Sequence, residues 1–205
     1  MTRAAHPDLL VVGGGTAGIV AAKTAAGFGA RVVLVERDRT GGDCLWTGCV
    51  PSKSLIAAAA AATAVRRGSA FGITATDVTV DFNQVMQHVR EAIAAIAPVD
   101  SPKALSDAGV TVVKGSARFT DEGTVAIGEH VLAFAQAVLA AGARPTVPGI
   151  PGLETVDYLT SETVWDLTEL PHRLLVLGGG SVGCELAQAF ARLGSTVTLI
   201  ESAQT

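Results

Sequence analysis

The chain contains one pattern of 28 residues twice, and this repeat limits the folds open to it more than any other feature. Leu9–Glu36 and Leu174–Glu201 align without a gap, 165 residues apart, and 13 of the 28 positions are identical. Self-similarity of this kind marks a structural unit that is used more than once. We therefore expect two copies of one supersecondary unit within the 205 residues.

Each copy has the pattern of a strand, a glycine-rich turn, a helix and a second strand. An apolar run suited to a buried parallel strand comes first, and G-x-G-x-x-G follows it. A helical segment and a second apolar strand then lead to an acid, Glu36 or Glu201. The pattern is typical of a dinucleotide-binding βαβ unit. Its glycines are Gly13, Gly15 and Gly18 in the first copy and Gly178, Gly180 and Gly183 in the second.

Each part of this pattern has a task in nucleotide binding. The first glycine permits a tight turn, the second lets the pyrophosphate approach the backbone, and the third lets helix and strand pack closely. The helix N-terminus offers N–H groups to phosphates, and the closing carboxylate accepts hydrogen bonds from ribose hydroxyls. A lone G-x-G-x-x-G can serve only a turn, but two complete copies favour two nucleotide sites. Glu201 favours NAD over NADP, because its charge would repel a 2′-phosphate.

Two cysteines, Cys44 and Cys49, follow the first copy. Residues five apart on a regular helix lie too far apart for a disulfide, so a bridge requires a distorted turn, which Gly48 permits. Pro51 suits the first turn of a helix that continues over Ser52–Arg67, and a thiolate at Cys49 would be stabilised at that helix N-terminus. Two other interpretations stay open: buried reduced thiols, or half of a metal site.

Composition and charge disfavour several classes of partner. Hydrophobic residues make up 49% of the chain and charged residues 17%, which is enough for a sizeable core. The net charge of −4, without a basic block, favours neither nucleic acid nor an anionic membrane. The longest apolar stretch, Leu55–Val65, is short for a bilayer span, and no signal peptide is visible. We therefore expect a cytoplasmic protein, in which a cysteine pair is more often catalytic or metal-binding than structural.

The residues around the cysteines resemble a known family. Gly41-Gly42-Asp43-Cys44, followed by Cys49-Val50-Pro51-Ser52-Lys53 after an FAD-type fingerprint, is similar to the flavoprotein disulfide reductases, the class I pyridine nucleotide-disulfide oxidoreductases. The resemblance implies an α/β fold. Residues 1–147 would form a three-layer, Rossmann-like FAD-binding domain with an added β-meander. Residues 148–205 would form the first βαβ of a second Rossmann-like domain, which binds NAD(P).

The resemblance also implies roles for single residues. Cys44 and Cys49 would form the redox-active disulfide, with Cys49 next to the flavin and Cys44 exchanging with the substrate. Lys53 would lie near the flavin and form a pair with Glu185. The implied FAD contacts are Gly13, Gly15, Thr16, Ala17, Gly18, Glu36, Arg37, Gly42, Asp43, Cys44, Lys53, Ser116, Ala117, Ala141 and Gly142. The implied NAD(H) contacts are Gly178, Gly180, Ser181, Val182, Gly183, Glu185 and Glu201, and no metal ligand is predicted.

The implied reaction passes electrons between NAD(P)H, FAD and the Cys44–Cys49 disulfide, and from there to a small disulfide or a soft metal ion. Asp43 and Ala141 replace threonines that are usual in the family, and Trp46-Thr47 replaces the commoner Asn-Val. These departures suggest a less standard branch, similar to mercuric reductase. A nucleotide-binding module without turnover, and an oxidoreductase whose cysteines are incidental, remain alternatives.

Family members carry further segments, including a C-terminal dimerisation domain that supplies a His–Glu acid–base pair. None of the four histidines here stands in a comparable context: His6, His88, His130 and His172. We therefore expect the 205 residues alone to be inactive and the full-length protein to be a homodimer. The third cysteine, Cys184, should be a small core residue on the second βαβ helix.

Between the two copies, periodicity and turn residues predict the remaining elements. An amphipathic helix is expected over Asp81–Ile96, and a linker over Pro145–Pro151. The predicted strands are Thr111–Phe119, Thr124–Ile127 and Val131–Leu139, and a short helix is predicted over Ser161–Leu167.

Overall fold

The computed structural model describes residues 6–202. Its helices are α1 (Thr16–Gly27), α2 (Gly42–Trp46), α3 (Cys49–Arg66), α4 (Phe82–Ile96), α5 (Pro102–Asp107) and α6 (Ser181–Leu193). Its strands are β1 (Leu9–Val12), β2 (Val32–Glu36), β3 (Val110–Lys114), β4 (Ala117–Asp121), β5 (Thr124–Ile127), β6 (His130–Ala133), β7 (Gln136–Leu139), β8 (Arg173–Leu177) and β9 (Thr196–Ile200). Short 3₁₀ helices cover Gly68–Phe71, Ala97–Asp100, Leu153–Thr155 and Val164–Asp166.

Internal contacts divide the chain into two compact units, each made of two stretches. The first unit combines Met1–Trp46 with Ala94–Arg144, and the second combines Thr47–Ile93 with Pro145–Thr205. The sequence-based domain boundary between residues 147 and 148 stays a prediction.

The first unit has three layers, and a parallel sheet forms the middle one. Its strand order is β3-β2-β1-β7, and every neighbouring pair is parallel. Alternate residues of the central strands point to opposite faces: Val11 and Leu34 pack with residues of α1 and α5, whereas Leu10 and Val35 pack with the β4-β5-β6 meander. The predicted α/β class, its Rossmann-like parallel sheet and its added β-meander are confirmed.

Two of the predicted strands are wrong, because each is divided between two sheets. The predicted strand Thr111–Phe119 separates into β3, in the parallel sheet, and β4, in the meander. The predicted strand Val131–Leu139 separates into β6 and β7 in the same way. The backbone changes its hydrogen-bond partner between them: the N–H of Phe134 donates to Gly123, and the next N–H, of Ala135, donates to Pro7.

The second unit consists of helices around one apolar core and a parallel strand pair. Strands β8 and β9 pair in parallel over their full length, and α6 connects them, so the second copy of the repeat also folds as βαβ. Helix α3 packs along α6. The buried residues of this core are Leu55, Ala59, Phe82, Met86, Val89, Val164, Ala189, Phe190 and Leu193. That this βαβ begins an NAD(P)-binding domain stays a prediction.

The helices of the second unit differ from their predicted bounds in two places. The predicted helix Asp81–Ile96 is present as α4. Helix α3 has Cys49 at its N-terminus and Pro51 in its first turn, as predicted, and it ends at Arg66, one residue before the predicted Arg67. Over the predicted helix Ser161–Leu167, only the 3₁₀ turn Val164–Asp166 forms.

Within the described residues, Gly42–Arg66 is long and apolar enough to cross a membrane by length and composition alone. This is weak evidence for a span, since core helices pass the same test. Leu55 and Ala59 of this stretch are fully buried in the core of the second unit.

Candidate functional site

The glycine turn after β1 has no room for side chains at its first and last glycines. Gly13 has a φ of +107°, and a Cβ there would lie 2.1 Å from the carbonyl oxygen of Ala140. A Cβ on Gly18 would lie 1.8 Å from the carbonyl oxygen of Gly13. These are backbone clashes that no rotamer can relieve, so the tight turn and the close packing of α1 on β1 depend on glycine.

The carboxylate of Glu36, at the end of β2, accepts hydrogen bonds from two backbone N–H groups, one of which belongs to this turn. The N–H of Gly14 donates to Oε2 of Glu36 at 2.6 Å, and the N–H of Asp38 donates to Oε1 at 2.8 Å. Each carboxylate oxygen has a further lone pair. Binding of ribose hydroxyls by Glu36 therefore stays a prediction that this geometry permits.

The segments predicted to bind FAD meet at the carboxyl edge of the parallel sheet. The N–H of Gly115, after β3, donates to the carbonyl of Glu36, and the N–H of Ala140, after β7, donates to Val12. Ligands of open α/β sheets bind at this edge. The predicted residues that the structure places in this unit are Gly13, Gly15, Thr16, Ala17, Gly18, Glu36, Arg37, Gly42, Asp43, Cys44, Ser116, Ala117, Ala141 and Gly142.

The N-terminus of α1 suits an anionic group at the same edge. Gly15 is the N-cap residue and supplies no side-chain cap, and no acidic residue lies in the first helical turn. The first N–H groups of a helix lack intrahelical acceptors and attract phosphate. The unit therefore fits the pyrophosphate of a dinucleotide.

Two glycines that are not among the implied FAD contacts, Gly14 and Gly41, help to build this edge. The N–H of Gly41 donates to the carbonyl of Gly14 at 2.8 Å. Gly41 has a φ of +104°, and a Cβ there would lie 2.4 Å from Cδ2 of Leu45. Next to it, a Cβ on Gly42 would lie 2.5 Å from Cα of Gly15. The doubled glycine after β2 was the available signal, because such pairs mark close backbone approach.

Asp43 lies near the segment that follows β7. Its Oδ2 would be 3.9 Å from a Cβ placed on Gly142. Asp43 and Gly142 were both predicted to contact FAD, and the structure brings them close together.

The second glycine turn repeats the geometry of the first. The N–H of Gly179 donates to Oε2 of Glu201 at 2.6 Å, and a Cβ on Gly183 would lie 2.1 Å from the carbonyl oxygen of Gly178. Gly180 is the N-cap of α6, again without a side-chain cap. The predicted residues Ser181 and Val182 follow on the exposed first turn. Among described atoms, none lies within 4 Å of a Cβ on Gly178 or Gly180, so this turn is open to a ligand.

Lys53 and Glu185 form an ion pair within the second unit. The Nζ of Lys53, on α3, lies 2.7 Å from Oε2 of Glu185, on α6. Both side chains are substantially exposed, at 61% and 42%. Their contact agrees with the pairing that the family resemblance implied, and their place near a flavin stays a prediction.

The two cysteines of the predicted disulfide lie on either side of a distorted turn. Cys44 is half-buried on α2 of the first unit, and Cys49 is the exposed first residue of α3 in the second. Gly48 lies between the two helices, and its backbone angles, φ −118° and ψ −112°, are not helical.

Cys184 is exposed, so the expectation of a core residue is wrong. Helix α6 buries Ala187, Phe190 and Leu193, whereas Cys184 lies in the first turns beside the glycine loop. Its thiol donates to the carbonyl of Gly179 at 3.2 Å.

Other candidate features lie away from these residues. In the part of the chain that the structure describes, no group of three His, Cys, Asp or Glu side chains could hold a metal ion. A shallow cavity of about 390 Å³ is formed by the loop Val147–Tyr158 and contains none of the predicted site residues. At the opposite end of β1 from the glycine turn, hydrogen bonds from Arg31 lower the pKa of Asp8 to about 2.

Known proteins resemble the chain over nearly its whole length. The family model described as "Pyridine nucleotide-disulphide oxidoreductase" matches residues 7–205. The chain is 41% identical to a mercuric reductase of Streptomyces lividans over 198 residues, which are 94% of this chain and 42% of that protein. It is 38% identical to dihydrolipoyl dehydrogenase 2 of Haloarcula marismortui over 203 residues, which are 95% of this chain and 42% of that protein.

The structure is similar to that of an HOCl-induced flavoprotein disulfide reductase, RclA of Escherichia coli. The TM-score is 0.81 at 29% sequence identity, and the match covers 97% of this chain and 42% of RclA. The chain therefore spans less than half the length of the relatives that it matches.

Proposed function

Because the chain belongs to the pyridine nucleotide-disulphide oxidoreductase family, whose members of the mercuric reductase and dihydrolipoyl dehydrogenase type use FAD and NAD(P)H, we propose that the whole protein is an FAD-dependent reductase. It would pass electrons between NAD(P)H, FAD and the Cys44–Cys49 disulfide. The acceptor would be a small disulfide or a soft metal ion.

One observation carries the proposal: the relation of Cys49 to the Lys53–Glu185 pair. Cys49 begins α3, and Lys53 follows one turn later on the same face. The Lys53 ammonium in turn contacts Glu185 of the second glycine unit at 2.7 Å. A thiol at a helix N-terminus with a cation one turn on is a favourable place for a thiolate.

The edge of the first unit supports FAD as the cofactor. The glycine turn and the α1 N-terminus would hold the pyrophosphate, and Glu36 would accept a ribose hydroxyl. When bound, FAD supplies the two-electron chemistry that links a nicotinamide to a disulfide.

The remaining chemistry falls to the chain's own residues. Reduction of the disulfide takes two electrons and two protons, breaks the Sγ–Sγ bond and leaves thiols on Cys44 and Cys49. NAD(P)H and a solvent proton balance the step, since NAD(P)⁺ is released. We assign Cys49 as the inner thiol and Cys44 as the thiol that attacks a disulfide or binds a metal ion. Lys53, held by Glu185, would keep positive charge near the reacting groups.

A soft metal ion is the second candidate for the acceptor. Four of the relatives that the chain matches are named mercuric reductases, from Streptomyces lividans, Bacillus cereus, Lysinibacillus sphaericus and Shigella flexneri. Thiolates are soft ligands that prefer such ions. A dihydrolipoyl dehydrogenase also matches, so a disulfide acceptor stays in the proposal.

The acceptor can be tested with the full-length protein, FAD and NADH. Oxidation of NADH is followed at 340 nm with mercuric ion, lipoamide or glutathione disulfide as the only acceptor. We expect one of the three to support turnover that Cys44→Ser and Cys49→Ser abolish. Turnover that survives both substitutions would contradict a role for the cysteine pair.

For the 205 residues by themselves we propose weak FAD retention and no dithiol turnover. Stoichiometric FAD after gel filtration of this chain would contradict the first statement. For the full-length protein we propose a homodimer in the cytoplasm, without nucleic-acid or membrane partners, and analytical ultracentrifugation tests the oligomeric state.

A further inference from the structure

Trp165 contacts the backbone of the cysteine segment from a distant part of the chain. Its indole N–H donates to the carbonyl of Thr47 at 2.9 Å, although 118 residues separate the two. The same N–H also donates to the carbonyl of Ser161 at 2.8 Å. Both contacts lie within the second unit. Thr47 is two residues before Cys49, so the donor acts on the peptide next to the start of α3.

The chemistry of Pro51 explains why a donor from outside the helix is useful at the carbonyl of Thr47. The first hydrogen bond of α3 runs from the N–H of Ser52 to the carbonyl of Gly48 at 2.9 Å. The equivalent bond one residue earlier would join the nitrogen of Pro51 to the carbonyl of Thr47. It cannot form, because the nitrogen of Pro51 carries no hydrogen. The indole of Trp165 donates to the Thr47 carbonyl at this point.

Trp165 is itself held in place by packing and by the turn before it. Its neighbour Val164 is buried, and its own ring packs on the apolar core that α3, α4 and α6 share. The turn before it is closed by hydrogen bonds from the N–H of Val164 to Thr160 and from the N–H of Thr160 to the Thr163 hydroxyl. A donor fixed in this way can orient a peptide group at low entropic cost.

We propose that Trp165 is a positioning residue for Cys49: its indole N–H fixes the Thr47–Gly48 peptide and so the first turn of α3. The inference rests on the proposed redox role of Cys49, which it deepens. Since Cys49 is already exposed, access does not limit its reactivity. Loss of the anchor should loosen the helix N-terminus and reduce its stabilisation of the thiolate.

The chain contains a matched control, its only other tryptophan. Trp46 also donates its indole N–H to a backbone carbonyl, that of Thr40, at 2.8 Å in the first unit. Trp165→Phe and Trp46→Phe therefore remove the same kind of bond from two different carbonyls, those of Thr47 and Thr40. Because Trp46 lies between the two cysteines in sequence, a general effect of losing an indole near Cys49 would show in both variants. Cys184, exposed in the same unit as Cys49, serves as an internal reference thiol.

The test measures iodoacetamide alkylation of the reduced full-length protein at pH 7, site by site, by mass spectrometry. We expect Trp165→Phe to lower the rate at Cys49 about two- to fivefold, with Cys184 unchanged, and Trp46→Phe to leave both rates at their original values. Amide exchange should quicken in the peptide that covers residues 47–53 and not elsewhere in the second unit.

A second variant separates the hydrogen bond from the packing of the ring. Benzothienylalanine at position 165, introduced by semisynthesis, keeps the ring size and lacks the N–H donor, so it should reproduce the effect of Trp165→Phe on Cys49. An unchanged Cys49 rate in this variant, or equal changes at Cys49 and Cys184, would overturn the proposal. The readout is thiol alkylation and not turnover, so failure here is distinct from failure of the proposed reductase function.

Discussion

The Lys53 ammonium lies 2.7 Å from the Glu185 carboxylate and connects α3, which begins at Cys49, with α6 of the second glycine unit. Both side chains are exposed, so solvent screens the pair and it should add about 1 kcal/mol or less to the free energy of unfolding. The role proposed for the pair is therefore in the redox reaction and not in stability.

Lys53→Ala and Glu185→Gln should therefore change the free energy of unfolding of the chain by less than about 1 kcal/mol, measured by urea denaturation. In the full-length protein with FAD, both should slow NADH-dependent reduction of the disulfide. Lys103→Ala is the matched control, because Lys103 forms an exposed pair with Asp107 at 2.6 Å elsewhere in the chain. Loss of rate in the control as well would argue against a specific role for the pair.

The glycine turn can be tested with two substitutions on the same helix. Gly18→Ala places a Cβ 1.8 Å from the Gly13 carbonyl oxygen, whereas a Cβ on Gly27, the last residue of α1, has no described atom within 4 Å. We expect Gly18→Ala to cost about 3 kcal/mol or more and Gly27→Ala to be neutral or to stabilise by up to about 1 kcal/mol. Equal unfolding midpoints for the two variants would show that the turn tolerates a side chain.

Asp8 makes the first unit sensitive to acid. Hydrogen bonds from Arg31 lower the pKa of Asp8 to about 2 in the folded chain, from about 3.9 in the unfolded chain. Because the folded pKa is the lower one, the contribution is complete above about pH 4 and is lost as the pH falls toward 2. Carboxyl NMR should show the low pKa directly, and Asp8→Asn should flatten the loss of stability between pH 4 and 2. A normal Asp8 titration would contradict the contact.

Glu201 predicts a preference for NADH over NADPH in the full-length protein. Its carboxylate would repel the 2′-phosphate of NADPH, so Glu201→Gln should reduce the NADH-over-NADPH ratio of kcat/KM by about tenfold or more. Glu36→Gln changes the equivalent acid of the first copy and should alter FAD retention without changing this ratio. The comparison requires steady-state rates of the full-length protein with both nucleotides.

Much of the fold could be predicted because its constraints are local. The 28-residue repeat specifies strand, turn, helix and strand in both copies, and glycine is demanded at Gly13 and Gly18 by backbone clashes. The split of residues 131–139 into β6 and β7 could not be predicted, since the apolar pattern continues across it. Where the backbone exchanges one partner strand for another depends on tertiary contacts that the pattern does not contain.

The candidate site shows the same limit. The contact of Lys53 with Glu185 was expected from the family resemblance, whereas the contact of Trp165 with Thr47 joins residues 118 positions apart that no motif connects. The exposure of Cys184 was missed because cysteine is usually buried, and the face that α6 buries is set by Phe190 and Leu193.

The most direct test of the redox role counts thiols. The full-length protein with FAD is alkylated without oxygen, before and after one equivalent of NADH, and the labelled cysteines are identified by mass spectrometry. We predict that Cys184 alone among the three cysteines of this region is labelled before NADH, and that Cys44 and Cys49 are labelled as well after it. Labelling of Cys44 and Cys49 that is the same with and without NADH would contradict a redox-active disulfide.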